Sequence, residues 1–340
     1  MIDGCLTTRC PWAPSPVFLV GSERSGTTLL RLMLDHHPEI AFEKEFDFVV
    51  TQVSDTGALP PLASYLDWIA TVRNMDFAID RSLDYRGLVN DFLSQKRAAS
   101  GGKRHVGATV HRDFDRLRFI WPEARYIHLV RDPRDVARSV VQKGWAGNIY
   151  QACELWLAAE NCWDSLAGHL AGDQAIEIHY EDLVMRTEAV LTDICRFMGV
   201  EYSEHMLGYQ ADAPQYPPPD PALVEQWKMK LPPRDVAKVE LRTAWLLESR
   251  GYVRSGHPLP TVGPLKHELL LAGGRLTRLR RRIDQFGFRL VALDLIGRRL
   301  GNHALAVRAQ RRINAAEQKL IDQERAGKRA PSANIAPLAG

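Results

Sequence analysis

The 340-residue chain lacks several features that would assign it to a broad class at once. No stretch approaches about 18 consecutive apolar residues, which argues against a membrane-spanning helix. The first residues, MIDGCLTTRCPWAPSPVF, contain no basic region followed by a long apolar run, so no secretory signal is predicted. The five cysteines form an odd set without a CxxC pair, which favours reduced thiols in a cytoplasmic protein over a disulfide framework.

Acidic residues are scarce in only one part of the chain. Residues 265–340 hold 16 Lys and Arg against 6 Asp and Glu, whereas residues 1–264 hold 28 against 35. The basic end is interpreted as a solvated helical surface, a contact for an anionic surface or polyanion, or a site of self-association. We expect no nucleic-acid partner, because no recognised DNA- or RNA-binding motif accompanies these arginines.

Short apolar runs alternate with helix-type patterns in the body of the chain. An apolar run that ends at glycine or at a turn is typical of a buried strand, and spacing of three and four residues is typical of a helix. Strands separated by helices predict an α/β fold, a P-loop-like three-layer sandwich with a central parallel sheet. The predicted strands are 16–20, 125–130 and 175–179. The predicted helices are 27–36, 134–142 and 187–198, the last with Thr187 as N-cap and Gly199 as its stop.

Proline-rich and basic segments suggest the domain limits. We predict a flexible lead-in at 1–15, an α/β domain at 16–256, a linker at 257–265, and a basic, mainly helical C-terminal extension with a loose end at 266–340. Pro258, Pro260 and Pro264 mark the linker.

The sequence GSERSGTT, residues 21–28, follows the first predicted strand and opens a helix. Unpaired backbone N–H groups and the helix dipole favour a bound phosphate at such a position. Gly26 allows close approach of the backbone, and the hydroxyls of Ser25, Thr27 and Thr28 are suitable donors. The alternative is an ordinary strand-to-helix turn.

The same loop departs from the nucleotide-binding pattern GxxxxGK[ST] at one position. Thr28 stands where the magnesium-binding hydroxyl is expected, but Thr27 replaces the lysine. Phosphoryl transfer normally needs that lysine and Mg²⁺. The cation within the loop is Arg24, so the pattern favours a phosphate-like anion held by a different charge arrangement.

A second anion motif, RDPRDVARS at residues 131–139, sits at the end of the second predicted strand. The carboxyl ends of strands are where open α/β sheets bind ligands. Arg131 and Ser139, about two helical turns apart, are suited to one compact anion. Arg134 and Arg138 are interpreted as helix-surface or salt-bridge residues.

Together, PVFLVGSERSGTTLLRLMLDHHPEI and YIHLVRDPRDVARSVV resemble the sulfotransferases that use 3′-phosphoadenosine 5′-phosphosulfate (PAPS). The resemblance continues through IEIHYEDLVMRTEAVLTDICRFMGV and covers roughly residues 16–252. It implies that the loop from Ser22 to Thr28 wraps the 5′-phosphosulfate. It also implies that Arg131 and Ser139 hold the 3′-phosphate.

Further roles follow from the same resemblance. Lys143 matches an additional basic contact in the tyrosylprotein-type branch, and Tyr180 matches a cofactor-side tyrosine there. Arg24 stands where cytosolic members carry a catalytic lysine. Glu45 matches the glutamate that acts as general base 21 residues after that arginine, with Glu43 as its nearest competitor.

The predicted function is therefore transfer of a sulfuryl group from PAPS to an acceptor hydroxyl or amine, by in-line attack with a carboxylate base. Two alternatives are a non-catalytic nucleotide-binding or scaffold protein and a P-loop kinase-like enzyme, which Thr27 argues against. His111 is a candidate substrate-side residue. No cluster of His, Cys, Asp or Glu has convincing metal spacing, so no metal is predicted, and the sequence does not identify the acceptor.

Overall fold

A computed structural model of the protein describes residues 15–72, 76–299, 305, 308–313 and 315–316. The predicted lead-in lies almost entirely outside these residues. The chain forms two compact units, Met1–Leu66 with Met75–Arg278, and Asp67–Asn74 with Leu279–Gly340.

A five-stranded parallel sheet forms the centre of the first unit, with strand order β2-β3-β1-β4-β5. The strands are β1 (Val17–Val20), β2 (Ile40–Glu45), β3 (His105–Val110), β4 (Arg125–Val130) and β5 (Ala175–His179). The predicted α/β class and parallel sheet are confirmed. The three predicted strands match β1, β4 and β5.

Helices flank the sheet, and hydrophobic clusters cover both of its faces. Val17, Leu19, Ile127 and Leu129 belong to one cluster, whereas Val130 belongs to another. Because successive strand residues point to opposite faces, a sheet covered on both sides needs nearly continuous apolar strands. VFLV in β1, all buried, satisfies that requirement.

The α-helices in chain order are α1 (Thr27–Asp35), α2 (Leu62–Val72), α3 (Tyr85–Ala99), α4 (Leu117–Ile120), α5 (Pro133–Gln142), α6 (Ile149–Ala167), α7 (Tyr180–Met185), α8 (Thr187–Met198), α9 (Trp227–Lys230), α10 (Pro233–Ser249), α11 (Pro264–Phe286) and α12 (Phe288–Arg299). Short 3₁₀ turns occupy Asp47–Val49, Phe114–Arg116, Glu204–Ala211 and Pro221–Leu223.

Strands β2 and β3 are not among the predicted strands. The charged second half of β2, EKE, breaks the apolar pattern, and β3 contains Gly107, which weakens a strand prediction. The structure explains this glycine: a Cβ there would lie 2.4 Å from the Phe42 ring and 2.2 Å from the Val17 carbonyl oxygen. The close approach of neighbouring groups, and not strand propensity, requires glycine at this point.

The predicted capping of α8 is half correct. Gly199 ends the helix in the left-handed conformation, with φ 74°. Thr187 is wrong as the N-cap, because it is the first helical residue and its hydroxyl donates to the Leu183 carbonyl at 2.8 Å. The preceding helix α7 supplies that carbonyl, which is why the hydroxyl turns backward.

The first turns of α11 pack within the first unit. The Asn148 side chain donates to the Leu270 carbonyl at 2.8 Å, and the Tyr150 hydroxyl lies 2.8 Å from His267 Nδ1. The compact units are accordingly divided after Arg278 and not at the predicted linker. The functional division into body and basic extension stays a prediction.

In the second unit, an ion pair of 3.1 Å joins Arg282 to Asp294, and Arg311 donates to the Ala70 carbonyl at 2.9 Å. No helix within the described residues is long and apolar enough to cross a membrane.

Candidate active site

The carboxyl ends of the five strands place the candidate residues along one edge of the sheet. Glu45 ends β2, His111 follows β3, the loop that begins at Gly21 follows β1, Arg131 follows β4, and Tyr180 follows β5. Since β1 lies between β3 and β4, the loop has His111 on one side and Arg131 on the other. This edge is where parallel α/β sheets bind ligands.

The loop after β1 takes a backbone path that side chains rarely adopt. Gly21, Arg24 and Gly26 all have positive φ, of 144°, 72° and 95°. A Cβ on Gly26 would lie 2.4 Å from the Tyr180 ring, so glycine lets the loop pack directly against that ring. Helix α1 then begins at Thr27 without a side-chain cap, which leaves its first N–H groups available to an anion.

Helix α5, which follows β4, is fixed by a buried charge network. Asp132 caps its N-terminus by accepting from the Arg134 N–H. The Arg134 guanidinium pairs with Asp132 at 2.7 Å and with Glu240 at 2.8 Å. Arg134 is therefore a salt-bridge residue, as predicted, and the network holds Arg131 in place at the end of β4.

The two predicted anion motifs meet in space. The Arg24 Nε donates to the Ser139 hydroxyl at 2.9 Å, and Arg131 donates to the Arg24 carbonyl at 3.2 Å. The Arg131 guanidinium also lies 4.0 Å from the centre of the Tyr180 ring. Residues from three different strand ends thus surround one point.

Electrostatics at this point favour a bound anion. Burial, followed by the neighbouring charge of Arg131, lowers the pKa of the Arg24 guanidinium. Burial raises the pKa of the Tyr180 phenol against the opposing effect of Arg131. Like charges held together in a partly buried place are relieved when an anion binds between them.

We call the space around these residues the basic cavity, with a volume of about 510 Å³. Four basic side chains and one carboxylate line it: Arg24, Arg131, Arg138, Lys230 and Asp220. The remaining lining residues are Gly26, Thr27, Thr28, Leu29, Ser139, Gln142, Tyr180, Tyr216, Pro217, Pro218, Pro219, Leu223 and Gln226.

The cavity has features expected of a site for a phosphorylated nucleotide. Within the described part of the chain, the buried Ser25 hydroxyl and the buried Nε of Arg131 have no hydrogen-bond partner. Buried polar groups are normally paired, so orphaned donors beside a phosphate-binding loop fit an anionic ligand.

Most of the predicted cofactor residues lie at this cavity, but three do not line it. Ser22 and Ser25 are buried within the loop, and the Ser22 hydroxyl donates to the Glu23 carbonyl at 3.1 Å. Lys143 is exposed and caps the C-terminus of α5, where Gln142 lines the cavity instead. The Lys143 contact therefore stays a prediction.

Sequence reasoning missed other parts of the wall. Arg138 directly precedes Ser139 and Gln142 follows it by about one helical turn, so their helical spacing was a usable signal. Lys230 carried no such signal, because tertiary contacts bring it to the cavity. One such contact is the hydrogen bond from the Trp227 N–H to Asp135 at 2.9 Å. The proline-rich loop near residue 216 is predicted from the sequence to shape the acceptor pocket, and the structure places residues 216–220 in the wall of the basic cavity.

Glu45, the predicted base, lies at the end of β2 and is exposed. The pairing with β3 is irregular between Glu43 and Glu45, which pair with Ala108 and Thr109. Such an irregularity re-aims side chains at the end of a strand. Glu45 lines neither the basic cavity nor the cavity described next.

A second cavity, which we call the acidic cavity, lies on the His111 side of the loop and has a volume of about 540 Å³. Its wall comprises Glu23, Asp55, His111, Arg112, Asp113, Asp115, Arg116, Leu155, Ala158, Asn161, Cys162 and Ser165. His111 is tied to the loop, because its Nδ1 lies 2.9 Å from the Gly21 carbonyl. Among the described residues, no group of three or more His, Cys, Asp or Glu is arranged to hold a metal ion.

A protein-family model described as the sulfotransferase family matches residues 16–204. The chain is similar to protein-tyrosine sulfotransferase 2 of Gallus gallus, with 26% identity over 215 residues. That alignment covers 57% of this chain and 53% of the relative, so the chain spans about half the relative's length.

The fold is also similar to that of two solved structures. The sulfotransferase domain from the Synechococcus PCC 7002 olefin synthase aligns with a TM-score of 0.53 and 22% identity, over 72% of this chain and 99% of that one. The sulfotransferase domain from the curacin biosynthetic pathway aligns with a TM-score of 0.52 and 19% identity, over 74% and 100%. At these identities the likeness concerns the fold.

Proposed function

The chain belongs to the sulfotransferase family, and we propose that it transfers a sulfuryl group from PAPS to an acceptor hydroxyl or amine. One observation carries the proposal: the two anion motifs meet at the basic cavity, where Arg24 contacts Ser139 at 2.9 Å and Arg131 contacts the Arg24 carbonyl at 3.2 Å. A nucleotide with phosphates at both ends of its ribose needs two such motifs within one cavity.

The loop and first turn of α1 would bind the 5′-phosphosulfate. Thr27, Thr28 and the N–H groups of the loop would supply donors. The Ser25 hydroxyl is buried without a hydrogen-bond partner among the described residues and does not line the cavity, so its contact with the ligand stays a prediction. Arg131 and Ser139 would hold the 3′-phosphate. The Arg131 Nε, which has no hydrogen-bond partner among the described residues, would be a charge-assisted donor.

The cofactor supplies an activated sulfuryl group and a stable bisphosphate leaving group. Arg24 would stabilise the negative charge that grows on the bridging oxygen as its bond to sulfur breaks. Glu45 would accept the acceptor's proton while the acceptor oxygen or nitrogen forms its bond to sulfur. In-line transfer of this kind depends on alignment and charge stabilisation more than on covalent catalysis.

Three further parts of the prediction are retained as proposals. A cytoplasmic location is supported by the three cysteines within the described residues, which are free. The extension at 266–340 is proposed as a contact for an anionic surface or for self-association. The acceptor site is proposed on the His111 side of the loop.

The test is a comparison of thermal stability with different nucleotides. We expect adenosine 3′,5′-bisphosphate without metal to raise the Tm, since a ligand at about 100 times its Kd stabilises by roughly 2.7 kcal/mol. Adenosine 5′-monophosphate, which lacks the 3′-phosphate, should raise it much less. Preference for ATP with Mg²⁺ would support a kinase, and no response to any nucleotide would support a scaffold.

A further inference from the structure

Consecutive residues of the loop after β1 line different cavities. Arg24 lines the basic cavity, and Glu23 lines the acidic cavity. The positive φ of Arg24, 72°, lies at the point where the chain turns from one cavity to the other. The walls of the two cavities therefore meet within this loop.

The acidic cavity carries more negative than positive charge. Four carboxylates and two arginines line it. Arg112 pairs with Glu23 at 2.7 Å, and Arg116 pairs with Asp55 at 2.6 Å. The surplus lies at the two remaining carboxylates.

Those two carboxylates are Asp113 and Asp115. Asp113 is 3.5 Å from Arg116, which already has a nearer partner. Asp115 accepts hydrogen bonds from Cys162 and Ser165 and has no ion-pair partner in the described ranges of the chain. Both carboxylates can therefore attract a further cation.

His111 adds a hydrogen-bond acceptor to the same wall. Its side chain is nine-tenths buried, with 8% exposed, and Nδ1 lies 2.9 Å from the Gly21 carbonyl. A carbonyl oxygen only accepts, so Nδ1 carries the proton, and in the neutral ring Nε2 is an acceptor. Nε2 has no partner elsewhere in the described residues.

We infer that the acidic cavity receives the acceptor and that the acceptor is a small cationic compound, a hydroxyl- or amine-bearing molecule that also carries a protonated amine or guanidinium. This inference rests on the proposed function. Carboxylates and the His111 nitrogen accept from a cationic donor, and a volume of about 540 Å³ suits a small molecule. The same carboxylates repel an anionic acceptor.

Three phenols that share one ring and differ in charge test the inference. They are tyramine, which is cationic, 4-ethylphenol, which is neutral, and 3-(4-hydroxyphenyl)propionate, which is anionic. Their Kd values are measured by calorimetry on the full chain saturated with adenosine 3′,5′-bisphosphate. We expect tyramine to bind roughly fivefold or more tightly than 4-ethylphenol, and the propionate to bind most weakly.

Substitutions show which carboxylates cause the preference for tyramine over 4-ethylphenol. Asp113→Asn combined with Asp115→Asn keeps the hydrogen-bonding shape and should reduce the tyramine preference to near unity. The control is Asp193→Asn, the same charge change at an exposed ion pair with Arg196 on α8, and it should leave the preference unchanged. If the double variant does not fold, Asp55→Asn serves in its place, with a partial loss of preference expected.

The outcomes separate this inference from the proposed function. Bisphosphate binding without any tyramine preference, or without tyramine binding, overturns the inference and leaves the proposed function standing. A preference that survives the double variant places the cation elsewhere and also overturns it. Failure of the bisphosphate to bind overturns the proposed function and the inference with it.

Discussion

The basic and acidic cavities share one loop but differ in charge and in how that charge is held. Four basic side chains line the first, and four carboxylates line the second. Two consecutive residues of opposite charge divide the loop between the cavities: Arg24 lines the basic cavity and Glu23 lines the acidic one. Because each cavity repels what the other attracts, an anionic nucleotide and a cationic acceptor would be directed to opposite sides of the reacting group.

The supports of the two cavities also differ. Behind the basic cavity, Arg134 and its two carboxylate partners are almost fully buried, with side-chain exposures of 1% to 3%. At the acidic cavity, Asp55 is 89% exposed in its pair with Arg116. Exposed pairs contribute little and are easily exchanged, whereas breaking a buried pair is costly. We therefore expect the basic cavity to be preformed and the acidic one to adapt to its ligand.

The largest effect is expected from a residue that lines neither cavity. Glu45→Gln should lower kcat by about 100-fold or more, because a missing general base costs roughly 10²–10⁴-fold. Bisphosphate affinity should stay within about threefold, because Glu45 is not part of the basic cavity. Labelled sulfate transfer and calorimetry measure the two quantities.

Near-normal turnover of Glu45→Gln would contradict the base assignment and would direct attention to the acidic cavity. His111→Gln is the matched comparison, since it keeps a hydrogen-bonding side chain beside the loop but removes the imidazole. A larger kcat loss in His111→Gln than in Glu45→Gln would place the proton transfer within the acidic cavity.

The next largest effect compares one arginine from each cavity. Arg131→Ala should weaken bisphosphate binding by roughly 30-fold, because a hydrogen bond to a charged group contributes about 2 kcal/mol. Arg116→Ala removes the same side chain from the acidic cavity and should change that affinity by less than about twofold. Similar losses in the two variants would mean that overall charge, and not the basic cavity, governs nucleotide binding.

Sequence reasoning found the strands and helices that a local residue pattern determines. An apolar run, a turn and a helical pattern follow one another at 16–36 and again at 125–142, where the turns are a glycine loop and RDP, so β1, β4 and their helices were predictable. Strands β2 and β3 were not, because the need for Gly107 beside Phe42 arises only when the strands are paired.

The same distinction applies to the site. Arg24 and Arg131 follow neighbouring parallel strands, so their meeting could be expected from the two motifs. Four separate parts of the chain form the acidic cavity. They are Glu23 in the loop after β1, Asp55, the segment after β3, and one face of α6. No local pattern relates those segments, since only tertiary packing brings them together.

A smaller effect should separate close packing from backbone strain at the basic cavity. Gly26→Ala combines φ 95° with a Cβ 2.4 Å from the Tyr180 ring, and should destabilise the protein by about 2 kcal/mol or more. Gly102→Ala, at φ 73° with no atom within 4 Å, carries the strain alone and should cost about 1 kcal/mol. Denaturant unfolding measures both, and equal losses would mean that the Tyr180 ring yields to the methyl group.

The smallest effect concerns the pH dependence of the acidic cavity. Burial raises the pKa of the Asp113 carboxyl, with Arg116 opposing and Asp115, Asp55 and Asp47 adding to the rise. The negative charge of Asp113 is present above its pKa and is lost as the pH falls through that value. The tyramine preference over 4-ethylphenol should therefore decline as the pH falls, and the decline should set in at a higher pH than the titration of an ordinary aspartate would give. Asp113→Asn should flatten this profile, and an unchanged slope in that variant would assign the titration to another group.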